Sequence, residues 1–220
     1  MNKKNICIPF CFLAAFAAHA QKKPLDHTVY DSWQSISSPY ISKSGKFVLF
    51  QVSPQEGDNQ LFLKTKENKE LVQIPRGYNG KLTDTENHLI SLIKAPFAAT
   101  REAKIKKKKT EDLPKDSLAI YNLTNSSLVK FAQVKSYKIA DQNNNFVSFL
   151  FDKEVNEKSE PKTATDATSA KKGSDKKKKT LATLALYDLN TGDSVQFSSV
   201  DQYEWNKNGS KIVFSKKTDS

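Results

Sequence analysis

Seven glycines, the two histidines beyond residue 20 and a few acids are the residues from which chemistry would have to be built in this chain. A serine nucleophile presented in Gly-x-Ser-x-Gly needs small neighbours, because the turn that exposes its hydroxyl is strained. The glycines stand at 45, 57, 77, 80, 173, 192 and 209, and no two of them flank a serine at that spacing. Beyond residue 20 the histidines are His27, ahead of the first strand, and His88, which opens one. Neither has a nucleophile nearby in sequence, so both are expected in surface or packing roles rather than as bases. Glu56, Asp58, Glu102, Glu111 and Asp112 are the candidate acids. Solvated carboxylates are the ordinary case for such residues. There is no His-x-x-x-His, no Cys/His cluster and no Asp-x-Asp-x-Asp loop to hold a metal. Gly77-Tyr78-Asn79-Gly80 lacks the lysine and the strand-to-helix setting of a phosphate cradle. The expectation is a chain with no catalytic residue, no cofactor and no metal ligand of its own.

The first twenty residues read as a signal peptide. Met1-Asn2-Lys3-Lys4 is basic, Ile6 to Ala18 is apolar, and Ala18-His19-Ala20 has the small-x-small form that precedes cleavage. The apolar run is shorter than the roughly 20 residues a membrane helix needs, so no stable membrane insertion is expected. A periplasmic or secreted protein, cleaved after Ala20, follows. Cys7 and Cys11 leave with the signal, which removes disulfides and thiol chemistry from the mature chain.

Without Lys3 and Lys4, 33 basic residues face 24 acidic ones. Arg101 to Asp116 holds seven basic and four acidic residues, and Lys153 to Lys179 holds nine and five. The remainder is nearly neutral, so the chain reads as a near-neutral domain with two Lys-rich inserts, at about 101–116 and 153–180. The second has no aromatic residue and little apolar surface to offset the entropy of ordering, which predicts disorder. Both inserts mix lysines with acids and lack interleaved aromatics, so no nucleic-acid partner is expected.

The elements around these residues are strand-like. Phe47–Val52, His88–Ile93, Phe146–Phe151 and Ile212–Phe214 are short apolar runs, each preceded by a polar turn. Gln60–Lys64, Ser117–Leu123 and Leu184–Gly192 form a second set, and the last two share Leu-Ala-x-Tyr-x-Leu before a tight turn. The intervals Phe47–Leu89, Leu89–Phe146 and Phe146–Ile212 are 42, 57 and 66 residues. Subtracting inserts of roughly 15 and 25 residues brings all three near the 40–45 of a four-stranded propeller blade. The expected fold is all-β, a partial β-propeller of about four blades with disordered Lys-rich inserts. A β-sandwich with irregular loops is the alternative. The domain order is signal peptide 1–20, leader 21–35 and partial propeller 36–220.

Several segments also resemble a known family. Lys23-Pro24-Leu25-Asp26-His27-Thr28-Val29-Tyr30-Asp31-Ser32-Trp33, Tyr40 to Phe47, Pro54 to Asp58, Arg76-Gly77-Tyr78 and Leu113-Pro114-Lys115-Asp116-Ser117-Leu118 are similar to the N-terminal half of exported prolyl oligopeptidase-like serine peptidases of Bacteroidota. The resemblance implies a seven- or eight-bladed propeller followed by an α/β-hydrolase domain. It implies an oligopeptide substrate, admitted or positioned by the propeller and cleaved by a hydrolase domain that this sequence lacks. The family's Ser, Asp and His map onto no residue here. Nor do the candidate acids align with the glutamates by which the dipeptidyl-peptidase branch grips a substrate amine. The alternative is a stand-alone propeller-type periplasmic binding or scaffold protein.

Overall fold

The computed structural model describes residues 27–142, 145–152 and 182–216. The expected signal peptide with both cysteines, the leader before His27 and the whole of the second insert lie outside the described residues. By its internal contacts the chain divides into Met1–Tyr30 and Asp31–Ser220. Of the first unit only His27–Tyr30 is described, the opening of a 3-10 turn that runs to Ser32.

The second unit is built from antiparallel strands that pair only with their sequence neighbours. β1 (Gln34–Ile41), β2 (Phe47–Pro54), β3 (Gln60–Thr65) and β4 (Glu70–Pro75) form one sheet in that order. β5 (Gly77–Leu82), β6 (His88–Ile93), β7 (Ser117–Asn122) and β8 (Leu128–Ala132) form the next. β9 (Val134–Ile139), β10 (Phe146–Phe151), β11 (Ala182–Asp188), β12 (Ser194–Trp205) and β13 (Ile212–Lys216) form the third.

The five-stranded sheet is two units joined through one long strand. Tyr187 pairs with Ser194 and Leu184 with Phe197 in the first part of β12, whereas Tyr203 pairs with Phe214 and Trp205 with Ile212 in the second. Between the parts Ser199 has φ 62°. Arg76 (φ 60°) and Gln133 (φ 59°) stand singly between β4 and β5 and between β8 and β9. The three sites are equivalent: one left-handed residue turns the last strand of a unit into the first strand of the next. The architecture is three complete four-stranded units and the first two strands of a fourth.

Burial explains the apolar runs. Leu89 and Ile93 of β6 pack with Leu49, Leu61 and Ile74 of the first sheet. Ile90 and Leu92 of the same strand pack with Tyr137, Val147 and Phe149 of the third. A middle strand is therefore covered on both faces, and its sequence loses the alternation of a half-exposed strand. A third cluster, Leu184, Val200 and Tyr203, joins the third unit to the fourth. The four runs singled out in the sequence become β2, β6, β10 and β13, the second strand of each unit. The Leu-Ala-x-Tyr segments become β7 and β11. Asn122 Oδ1 accepts from the Thr124 amide at 2.8 Å, and Asp188 Oδ1 accepts from the Asn190 amide at 2.8 Å, so the two turns are capped alike.

The first Lys-rich insert departs from the expected disorder. The connection between β6 and β7 carries a helix, α1 (Phe97–Ile105), and a 3-10 turn at Thr110–Asp112. Nine residues are too few to display a helical period in the sequence. The helix is tied down by its neighbours: Asp58 Oδ1 accepts from the Phe97 amide at 2.8 Å, and Arg101 pairs with Glu56 at 3.0 Å. The second insert occupies the equivalent connection, between β10 and β11. Asp152, the last described residue before it, pairs with Lys115 of the first insert at 2.7 Å.

Candidate functional site

The first strands of successive units converge on one cavity of about 420 Å³. β1 contributes Ser38, Pro39 and Tyr40; β5 contributes Gly80, Lys81 and Leu82; β9 and the residues after it contribute Ile139, Ala140 and Asp141. Both β1 and β5 are bulged at this level. The β1–β2 register shifts between Ser37 and Tyr40, and the β5–β6 register between Tyr78 and Lys81. Ser38 (φ 51°) and Asn79 (φ 48°) hold the left-handed positions of these irregularities. Such bulges bend a strand and re-aim its side chains. A second cavity of about 280 Å³ continues the wall past β9 to Glu204, Trp205 and Lys207 at the end of β12.

The wall mixes charges. Lys43 pairs with Asp84 across the first and second units. The hydrogen bond to Asp84 holds the Lys43 ammonium above its ordinary pKa. Lys138 pairs with Glu204, donates to the Tyr203 carbonyl at 3.1 Å and lies 5.1 Å from the Tyr203 ring centre. Burial pushes the Tyr203 hydroxyl up to about 12. The Trp205 indole donates to Ser148 Oγ at 2.7 Å, and Ser148 Oγ donates to the Lys138 carbonyl at 3.0 Å, which fixes the wall from behind. Alternating lysines and aspartates beside Tyr40 and Pro39 suit a polar chain that carries both signs of charge and some apolar surface. Among the described residues that line it, Ser38 has no histidine beside it.

The side chains of three of the candidate acids from the sequence have partners. His88 sits half-buried at the start of β6, its amide donating to Thr83 Oγ1 at 3.2 Å, and burial lowers its pKa. Glu56 and Asp58 anchor α1, and Glu102 pairs with Lys106 at its C-terminal end. Glu111 and Asp112 lie exposed in the 3-10 turn. The His27 side chain lies outside the described residues. Among the described residues no three His, Cys, Asp or Glu side chains gather to hold a metal ion. Gly77 and Gly80 let β5 lie close against the first sheet: a Cβ at Gly77 would meet Leu61 Cβ at 2.8 Å.

The turns next to the cavity repeat one design, with one informative exception. Ser42 Oγ accepts from the Phe47 amide, Thr83 Oγ1 from the His88 amide, and Asn206 Oδ1 from the Lys211 amide, at 3.1, 3.2 and 2.9 Å. Gly45 (φ 71°) and Gly209 (φ 69°) take the left-handed position in two of these turns, and Glu86 (φ 57°) takes it in the third. Glu86 accepts from the Ser44 amide at 2.9 Å and from Ser44 Oγ at 2.6 Å, bridging the first two units. Burial acts to raise its pKa, but the Ser44 hydrogen bonds prevail and hold the carboxyl below its usual range. Both Glu86→Ala and Glu86→Gly remove this bridge, but only glycine relieves the strained backbone. We expect Glu86→Gly to be more stable than Glu86→Ala by about 1 kcal/mol. Urea midpoints of the two variants measure the difference, and equal midpoints would show that φ at 86 carries no strain.

No family model matches the chain, and no curated protein matches it. Solved structures do match. An acylaminoacyl peptidase from Pyrococcus horikoshii superposes with a TM-score of 0.50 at 10% identity, over 87% of this chain and 29% of that one. The β-propeller domain of the Trilobed protease from Pyrococcus furiosus superposes with a TM-score of 0.50 at 11% identity, over 83% of this chain and 48% of that one. The fold is a partial β-propeller. An acylaminoacyl peptidase in complex with Z-Gly-Gly-Phe-chloromethyl ketone also aligns, with a TM-score of 0.51 at 12% identity, over 89% of this chain and 30% of that one. The chain thus spans 29–48% of the length of these structures. The three four-stranded units are blades, and the cavity lies where the first strands of consecutive blades meet.

Proposed function

We propose that this chain is the N-terminal propeller portion of an exported prolyl oligopeptidase-like serine peptidase. In that role it gates or positions an oligopeptide substrate and supplies no catalytic group. The observation that carries the reading is the cavity walled by the first strands of three consecutive blades, with Lys81 and Asp141 on its lining. Its mixed charge matches a peptide, whose ends and side chains carry both signs. The likeness to acylaminoacyl peptidases supports the same reading at the level of fold.

Two measurements test it. The mature chain, Gln21 to Ser220, is expected to leave chromogenic dipeptide and acyl-amino-acid substrates uncleaved. The reading frame beyond codon 220 is expected to encode Gly-x-Ser-x-Gly. Turnover that survives repurification and resists serine-hydrolase inhibitors would refute the non-catalytic role. A stop codon without such a motif, in a strain that expresses the short product, would favour a stand-alone binding protein.

A further inference from the structure

Helix α1 ends in more positive charge than its own ends require. Lys104, Lys106, Lys107, Lys108 and Lys109 surround Ile105. A helix C-terminus is favoured by a cation or two in its last turn, and the effect fades beyond that turn. Lys106 is paired with Glu102, and Arg101 with Glu56. Lys104, Lys107, Lys108 and Lys109 are exposed and make no ion pair among the described residues. The backbone beneath them is fixed: the Lys106, Lys107 and Lys108 amides donate to the Glu102, Lys104 and Ala103 carbonyls at 3.0, 2.9 and 3.0 Å. Ile105 is 72% exposed in the middle of this set, while Ala103 is the residue that the helix buries. An ordered knob therefore presents one large exposed aliphatic side chain flanked along the chain by exposed lysines.

We propose that this knob, Lys104–Lys109, docks on the surface of an anionic phospholipid bilayer. The lysines meet the phosphate headgroups, and Ile105 enters the boundary with the acyl chains. Cations flanking an aliphatic residue on a short helix combine the two attractions that hold a protein at a membrane interface. A soluble polyanion would use the lysines and leave Ile105 in water. A single-stranded nucleic acid would call for aromatic platforms, and the knob has none. Among the described residues no helix is long and apolar enough to cross a bilayer, so the contact is peripheral. It lies at the connection between β6 and β7, away from the cavity, and stands independently of the peptidase reading.

Co-sedimentation of the full mature chain with vesicles tests the proposal. Phosphatidylcholine containing about one third phosphatidylglycerol should bind the chain, and phosphatidylcholine alone should not. Binding should weaken steeply as salt shortens the range of the field. K107E/K108E/K109E should lower partitioning on the order of a hundredfold, since each lysine near an anionic surface contributes comparably. Ile105→Ser should lower it by a few-fold and leave the salt dependence intact. K66E/K69E, on the exposed turn between β3 and β4, reverses charge away from the knob and should bind far better than the triple variant. K176Q/K177Q/K178Q/K179Q should also retain binding. The proposal is overturned if the triple reversal at 107–109 binds like the parent, or if the quadruple variant alone releases the vesicles. Equal binding to neutral vesicles, or an Ile105→Ser variant that matches the parent while duplex DNA competes as well as vesicles do, would overturn it too.

Discussion

Phe149→Ala should cost the folded chain about 3–5 kcal/mol. Phe149 has no exposed surface and sits at the junction of the second and third blades. Its ring lies 4.8 Å from Phe131 and 5.3 Å from Phe151, so truncation removes two aromatic contacts and opens a cavity between sheets. Domains are stable by only about 5–15 kcal/mol, so the loss removes a large share of the stability. Phe149→Leu keeps much of the volume and should fall between parent and alanine variant. Urea unfolding followed by the fluorescence of Trp33 and Trp205 reads both. A cost below about 1 kcal/mol for alanine would mean that the blades do not meet at this residue.

Gly77→Ala should cost about 1–3 kcal/mol, and more than Gly80→Ala. The reason is steric. The new Cβ at 77 would lie 2.8 Å from Leu61 Cβ and 3.0 Å from Ile74 Cβ. Those atoms are attached directly to backbone, so relief requires β5 to lift off the first blade. At 80 the close atoms are Leu61 Cδ2 at 2.8 Å and Leu49 Cδ2 at 3.0 Å, and methyl ends of leucines can rotate away. Thermal or urea midpoints rank the two variants. If Gly80→Ala proved the more damaging, β5 would not lie against the first blade as described.

What the sequence reveals follows from how many faces a strand buries. β6 and β10 lie between two neighbouring blades, so His88–Ile93 and Phe146–Phe151 stand out as apolar runs whose spacing discloses the repeat. β7 and β11 are visible through Leu-Ala-x-Tyr, because the residue that follows the tyrosine caps the same turn in both. β1 and β5 are hidden for the opposite reason. Ser35, Ser37, Ser38, Asn79 and Gly80 belong to bulged strands beside a cavity, and their polar or small side chains look like loop. The glycine pair at 77 and 80 lacks the setting of a phosphate cradle in sequence, and the close approach to Leu61 gives it a packing role that sequence alone does not show. The cavity has no local signature, because Ser38, Lys81 and Asp141 come from three blades and meet only after folding. Helix α1 escapes notice because its nine residues mix alanine with charge and bury only Ala103.

Strands that pair only with their sequence neighbours bear on how the molecule is made. A hairpin closes a short loop at small entropic cost, and each blade is a run of such hairpins. A chain synthesised from its N-terminus has β1–β4 available to pair before β6 has emerged. The slow events are then the joints between blades, where Leu61 must find Leu89 and Ile90 must find Phe149. Each joint forms on a platform that already exists, so assembly resembles adding wedges to a stack rather than condensing a whole core at once. The long connections between β6 and β7 and between β10 and β11 interrupt single hairpins, not joints. They delay one wedge each and leave the order of the stack intact.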